Sequence, residues 1–303
     1  MSLVPPFRCL LAAFAAAAAA CLAAGCGRAP NGAGEGSAAL RATASLPPVA
    51  GLVRKLGGER WSVSSLVGPG QDPHVYEPTP GQVSALASSR LFFRTEMPFE
   101  EALAARAASA FPGVRLVTLE PAVPHEGGRE HVREHGHGHD EAAVHGWLSP
   151  ANLEAWARAI AADLSVADPA EAGSVEARLS AWLDALAAET ARTRAAVSNA
   201  GVRAFAAWHP AYGAWAEEFG LEQIALEVDG RAPGPRTLAE ARARIAETGA
   251  KVLLVQNGAE AARAEAFARD AGLRVAIVQP LADDPLATLR ALREAIAAGG
   301  GFR

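Results

Sequence analysis

Three histidines that stand apart along the chain have the chemistry and the placement of metal ligands. His74 and His209 each lie beside or near a proline at the end of an apolar run, and His145 directly precedes the motif GWLSP. Zinc takes three or four nitrogen or oxygen donors, and imidazoles on three rigid turns can converge without straining a helix. A single histidine at a turn is more often a surface or capping residue. The prediction therefore requires that the three rings meet in space.

A second group of histidines fills the segment 124–144, which is also rich in glycine and acidic residues. The segment has neither helical nor strand periodicity, so we predict an exposed loop. Such a composition attracts divalent cations. The loop either gathers metal and passes it inward or is a linker with incidental affinity. The histidines concerned are His125, His131, His135, His137 and His139.

Two series of alternating strand and helix patterns are expected to position these residues. The first series spans residues 40–167 and the second spans residues 200–303. Together they predict an α/β fold of two pseudo-symmetric lobes, each built on a parallel sheet. Between them, residues 168–199 carry a nearly uninterrupted helical pattern, which predicts one long rigid helix joining the lobes. The histidines at strand ends would then face a cleft between the two lobes.

The first 26 residues are predicted to be a targeting segment. An alanine-dominated apolar run leads to LAAGC at residues 22–26, which resembles the cleavage site of a lipoprotein signal peptide. Cys26 would carry the lipid, residues 27–39 would form a flexible tether, and the domain would lie at the periplasmic or cell-surface face of the membrane. Plain secretion is the alternative, and a transmembrane anchor is disfavoured because the run is short and poor in leucine. All three cysteines fall in this segment, so the metal would have no sulfur ligand.

Ordered motifs resemble those of the zinc- and manganese-specific solute-binding proteins that serve ABC importers (cluster A-I). The motifs are QDPHVYEPTP at 71–80, HGWLSP at 145–150, WHPAY at 208–212, EVDGRAP at 227–233 and QPLA at 279–282. The resemblance covers the chain from about residue 42 to its C-terminus. It implies two α/β lobes joined by one rigid helix, a divalent metal in the cleft, and an importer permease as partner.

The resemblance also implies a set of metal ligands. Carried over position by position, His74 and His145 would bind the metal from the first lobe, and His209 from the second. A histidine at the third position and a histidine-rich loop before the second are typical of the zinc-uptake type, so Zn²⁺ is expected and Mn²⁺ is expected less. The fourth position is usually an aspartate, and here it is Gln279.

The sequence does not determine which group is the fourth metal donor or which carboxylates hydrogen-bond to the imidazoles. A neutral amide is a poorer zinc ligand than a carboxylate, so the donor could be Gln279, a shifted Asp283 or Asp284, a loop histidine or water. Three neutral imidazoles leave the charge of zinc uncompensated. The carboxylates that could orient the imidazoles, or be solvated turn residues instead, are Asp72, Glu77 and Glu227.

Three functions from different classes are consistent with these residues. The first is a non-catalytic receptor that captures Zn²⁺ outside the cytoplasmic membrane and delivers it to a permease. The second is a zinc hydrolase or hydratase, which the sequence disfavours because it has no HExxH helix and no GxSxG elbow. The third is an extracytoplasmic metal buffer or adhesin without an importer. A net charge of −5 with no basic stripe disfavours a nucleic-acid partner.

Overall fold

The computed structural model describes residues 39–122, 145–228 and 230–299. These residues belong to one compact unit that begins at Ala39. Several predicted features lie outside the described residues: the targeting segment with Cys26, nearly all of the tether, and the loop histidines His125, His131, His135, His137 and His139. Within the described ranges, no helix has both the length and the apolar character needed to cross a membrane.

The first sheet is parallel, and its strands lie in the order β2-β1-β3-β4. Proline occupies the first turn of each of its helices, where its fixed φ and missing N–H suit the helix start. A capping box between Thr79 and Gln82 also fixes the start of the second helix. In chain order the elements are β1 (Leu40–Ala44), α1 (Pro47–Gly57), β2 (Trp61–Ser65), α2 (Pro80–Ala87), β3 (Leu91–Arg94), α3 (Pro98–Ala110) and β4 (Arg115–Thr118).

Two long helices follow, α4 (Pro150–Ala167) and α5 (Ala172–Ala200). Helix α5 has 29 residues and is therefore about 43 Å long. Its buried residues recur every three or four positions, so one stripe of the helix faces the rest of the protein. They are Val175, Leu179, Trp182, Leu186, Glu189, Thr193 and Val197. The helix ends at Gly201, which adopts the left-handed conformation that stops a helix.

The second sheet is also parallel, and its strand order, β6-β5-β7-β8, repeats that of the first sheet. Its two inner strands, AFAA and VLLV, are buried throughout, as expected for strands covered by helices on both faces. The elements are β5 (Ala204–Ala207), α6 (Gly213–Glu218), β6 (Glu222–Ala225), α7 (Pro235–Thr248), β7 (Val252–Val255), α8 (Gly258–Ala271), β8 (Arg274–Ile277) and α9 (Pro285–Ala297).

The two sheets share much of one core. A continuous cluster of buried side chains includes the first sheet, helices α4 and α5, and one face of the second sheet. A smaller cluster packs the other face of the second sheet. The predicted fold of two parallel-sheet lobes joined by a long helix is confirmed. The lobe boundaries at residues 167 and 200 stay predictions.

Candidate metal centre

His74 is fixed by a short turn that follows β2. Residues Pro73–Val75 form a single 3-10 turn, and the Asp72 carboxylate caps it by accepting the His74 backbone N–H at 2.9 Å. The His74 ring is only partly buried, whereas the next side chain, Val75, is 79% exposed. This arrangement places the imidazole at the rim of the site. Asp72 and Glu77 are exposed, and the Asp72 contact is to the backbone.

His145 is buried directly before the 3-10 turn Gly146–Leu148. Its side chain is buried, and the ring of Trp147 packs edge-on against it with centroids 5.1 Å apart. The Asn152 amide accepts the Ala122 N–H at 2.7 Å and donates to the Gly146 carbonyl at 3.2 Å. One side chain therefore holds both flanks of the segment 123–144.

His209 is oriented by a carboxylate that follows the neighbouring strand, β6. The pairing of β5 with β6 continues past the strand ends, where the Glu227 N–H donates to the Trp208 carbonyl at 2.8 Å. Glu227 therefore lies beside His209, and its Oε2 is 3.1 Å from the His209 Nδ1. The other carboxylate oxygen accepts the Trp208 indole N–H at 2.8 Å. With Nδ1 occupied by the carboxylate, Nε2 of His209 is left to face the other histidines.

The three imidazoles converge on one point. Nε2 of His145 lies 3.2 Å from Nε2 of His74 and 3.4 Å from Nε2 of His209. The three ring centroids are 5.1 to 5.2 Å apart, and the donor atoms all lie within 4.8 Å of one another. Tetrahedral zinc with bonds of about 2.0–2.1 Å requires nitrogens about 3.3–3.4 Å apart. The two distances from His145 therefore match the edge of a zinc-centred tetrahedron.

The electrostatic surroundings of His74 favour the neutral form of its imidazole. Burial lowers the pKa of His74 below its ordinary value of 6.5, and the nearby His209 lowers this pKa further. The Asp72 carboxylate acts in the opposite direction, but its effect is the smallest of the three. Because a metal ion binds imidazole only in the neutral form, this environment keeps His74 available as a ligand.

A buried carboxylate near this cluster was not predicted from the sequence. Glu260 is 7% exposed, and its Oε2 accepts the Gln256 N–H at 2.7 Å at the end of β7. Since β7 pairs with β5, the carboxylate stands on the His209 side of the site. Burial raises the pKa of Glu260; Glu227 raises it further and His209 lowers it. The only sequence signal was a helix-start pattern, Asn257 with Glu260 three positions later.

The residues considered for the fourth donor lie in the loop after β8. Gln279 is exposed, and its backbone carbonyl accepts the Ala282 N–H at 3.4 Å. The Asp283 carboxylate pairs with Arg54 of α1. The Asp284 carboxylate caps α9 by accepting its first backbone N–H groups. Among the described residues, the donor cluster contains the three histidines and no carboxylate.

Comparison with known proteins places the chain in a family. A family model described as "Zinc-uptake complex component A periplasmic" (ZnuA) matches residues 43–297. The chain belongs to this family. A solved relative, described as the crystal structure of ZnuA, superposes with a TM-score of 0.75 at 26% sequence identity, covering 87% of this chain and all of that one.

Two relatives of known name are similar over shorter shares of their length. The zinc-binding protein AdcA of Streptococcus pyogenes is 24% identical over 251 residues, which cover 77% of this chain and 49% of AdcA. The manganese-binding lipoprotein MntA of Halalkalibacterium halodurans is 29% identical over 153 residues, 50% of this chain and 47% of MntA. The chain thus spans about half the length of these relatives. The family comprises solute-binding receptors and not enzymes.

Proposed function

We propose that this chain is an extracytoplasmic receptor that binds Zn²⁺ through His74, His145 and His209 and delivers it to the permease of an ABC importer. The observation that carries the proposal is the spacing of the three Nε2 atoms, 3.2 and 3.4 Å from His145 to its two neighbours. This spacing matches the edge of a zinc-centred tetrahedron. The ion is the cargo of the protein, so the site must release it as well as bind it.

The donor set supports zinc over manganese. Imidazole suits zinc, whereas carboxylate, carbonyl and water oxygens suit manganese. A manganese-binding lipoprotein nevertheless stands among the relatives, so the choice of metal is part of the proposal. Three neutral imidazoles provide no negative charge, and we assign charge compensation to the two carboxylates on the His209 side, Glu227 and Glu260. Gln279, water or a loop histidine completes the coordination, because Asp283 and Asp284 are engaged elsewhere.

The cellular setting is proposed from the family and from the first residues. The matching family is described as a component of a zinc-uptake complex, and three similar proteins are called lipoproteins. These descriptions support a permease partner and a lipid anchor at Cys26. The flanks of the segment 123–144 are held next to His145 through Asn152. This placement supports a role for the loop histidines in gathering zinc beside the site.

A zinc hydrolase would need a general base beside the ion, and the two carboxylates on the His209 side are the candidates for this role. Glu227 accepts N–H groups from Trp208 and His209, and Glu260 accepts the Gln256 N–H. Both carboxylates are therefore engaged in holding the site together. A metal buffer or adhesin without an importer would use the same three ligands, and only a transport assay separates it from a receptor.

The test combines calorimetry with uptake. The chain from residue 27 is titrated with Zn²⁺ and with Mn²⁺, beside a His209→Ala variant. We expect one tight zinc site that His209→Ala weakens by at least about 100-fold, and weaker manganese binding. A host that lacks its own zinc receptor but carries the cognate permease should grow at low zinc with the wild type and not with His209→Ala. Tight binding without any rescue would favour the buffer; undiminished zinc binding by His209→Ala would overturn the proposed site.

A further inference from the structure

The loop after β8 is tied to the first lobe at two points. The indole Nε1 of Trp147 donates to the carbonyl of Pro280 at 2.9 Å, in a buried hydrogen bond. Arg54 of α1 forms an ion pair with Asp283, and its other terminal nitrogen donates to the carbonyl of Val63 at 3.1 Å. The guanidinium therefore connects the loop to the middle of β2 in the first lobe.

A glycine on α1 makes room for this loop. A Cβ atom at Gly51 would overlap the carbonyl oxygen of Asp283, so any other residue forces the loop or the helix to move. Gly51 and Arg54 lie three positions apart and share one face of the helix. Together they form a seat for the loop, which we call the α1 seat.

The start of the same loop is anchored in the second lobe. The backbone N–H of Val278 donates to the carbonyl of Val255 at 2.9 Å, and the carbonyl of Val278 accepts the Tyr212 hydroxyl at 2.7 Å. Gln279 thus stands between one anchor in the second lobe, at Val278, and one against the first lobe, at Pro280. Its position relative to the three imidazoles depends on both lobes.

We propose that Gly51 and Arg54 are positioning residues for metal binding, because the α1 seat sets where residue 279 stands relative to the imidazoles. This inference rests on the proposed function. Neither residue touches the metal. Each acts by holding the loop against the first lobe, so that the side chain at position 279 or the water it holds meets the ion. Loss of the seat should weaken the fourth interaction and leave the three imidazoles in place.

The test is a double-mutant cycle on zinc affinity. Gln279→Asp introduces a carboxylate at the proposed fourth position, and we expect it to tighten zinc binding about tenfold, because a carboxylate oxygen is a common zinc ligand and a neutral amide is not. In the Gly51→Ala background this gain should shrink to less than about threefold. Asp283→Asn and Arg54→Met should reduce the gain in the same way, and Arg54→Lys, which keeps the charge, should restore most of it.

The variants at Arg54 and Asp283 test the same contact without the risk of misfolding that Gly51→Ala carries. Arg54 and Asp283 are 40% and 60% exposed, so their substitution does not threaten the core as Gly51→Ala does. Asp270→Asn is the matched control, since Asp270 is 64% exposed and pairs with Arg242 away from the loop. It should leave the gain from Gln279→Asp unchanged.

Two results would overturn the inference. In one, Gln279→Asp gives no gain in the wild-type background while His209→Ala still abolishes tight binding, so the proposed function stands and the seat has no role. In the other, the gain is the same with and without the α1 seat. Failure of the proposed function itself is recognised separately, by zinc binding that does not depend on His209.

Discussion

Replacing Glu227 by glutamine tests how the second ring nitrogen of a ligand controls the metal site. The carboxylate receives two N–H groups, one from the Trp208 indole at 2.8 Å and one from His209 Nδ1 at 3.1 Å. Glutamine offers one oxygen and one NH₂ group to the same two neighbours. At most one N–H group keeps its acceptor, and the other meets a donor.

The expected loss of zinc affinity follows from this mismatch between the glutamine amide and the two N–H groups. If His209 shifts its proton to Nε2 to satisfy the new NH₂ group, the nitrogen that faces the metal is blocked. If it does not, the ring loses the negative charge that raises its basicity. Removing such an outer partner of a ligating histidine usually costs about 10- to 100-fold in metal affinity. We expect a loss in this range for Glu227→Gln, or about 1.4 to 2.7 kcal/mol of binding free energy.

The assay is competition for zinc against a chromophoric chelator, with unfolding measured in parallel. Glu222→Gln is the control, because Glu222 begins strand β6, after which Glu227 follows, and its carboxylate pairs with Arg244 on the outside of the lobe. We expect the control to keep wild-type zinc affinity. Equal affinities for Glu227→Gln and the wild type would refute the reasoning, since they would mean that the orientation and basicity of His209 do not matter.

Three other predictions concern pH, a buried acid and the linking helix. Because burial lowers the pKa of His74 and the nearby His209 lowers it further, protonation of His74 should weaken zinc binding only below about pH 6.5, and an NMR titration that finds the His74 ring already half protonated above this pH in the metal-free protein would contradict this. Burial also raises the pKa of Glu100 above 4.5, so its stabilising contribution is full at low pH and is lost as pH rises through the raised value. In denaturant titrations between about pH 4 and 7, the unfolding free energy of Glu100→Gln should therefore rise relative to that of the wild type. A difference between the two proteins that does not change with pH would argue against this. Glu189 is 3% exposed and pairs with Arg293 of α9, so Glu189→Ala should cost roughly 3 kcal/mol of unfolding free energy by leaving that guanidinium with only the exposed Glu294 beside it, and a cost under about 1 kcal/mol in thermal or denaturant unfolding would show that the pair is dispensable.

The fold and the convergence of the histidines could be predicted because both depend on local patterns. Alternating apolar strands and helices identify parallel sheets, and parallel strands place their carboxyl ends at one edge. His74 follows β2 and His209 follows β5. The spatial proximity of Glu227 to His209 also follows once β5 and β6 are known to pair, because the register then sets the two loops side by side.

The remaining features of the site could not be predicted from the sequence because they depend on contacts between distant elements. Glu260 fits a helix-capping pattern, and its place beside the metal site depends on the pairing of β7 with β5. Asp283 was a candidate ligand from its position in the chain, whereas in the structure its carboxylate pairs with Arg54, 229 residues away. The packing of one loop on one helix therefore decides which acids are near the metal. No periodicity in the sequence encodes it.

X-ray absorption at the zinc edge tests the central claim most directly. The sample is the chain loaded with one equivalent of zinc, with His125, His131, His135, His137 and His139 replaced by alanine so that the loop supplies no imidazole. We predict three imidazole nitrogens at about 2.0–2.1 Å and one further nitrogen or oxygen donor. A shell with fewer than three imidazoles, or one unchanged by His145→Ala, would contradict the account.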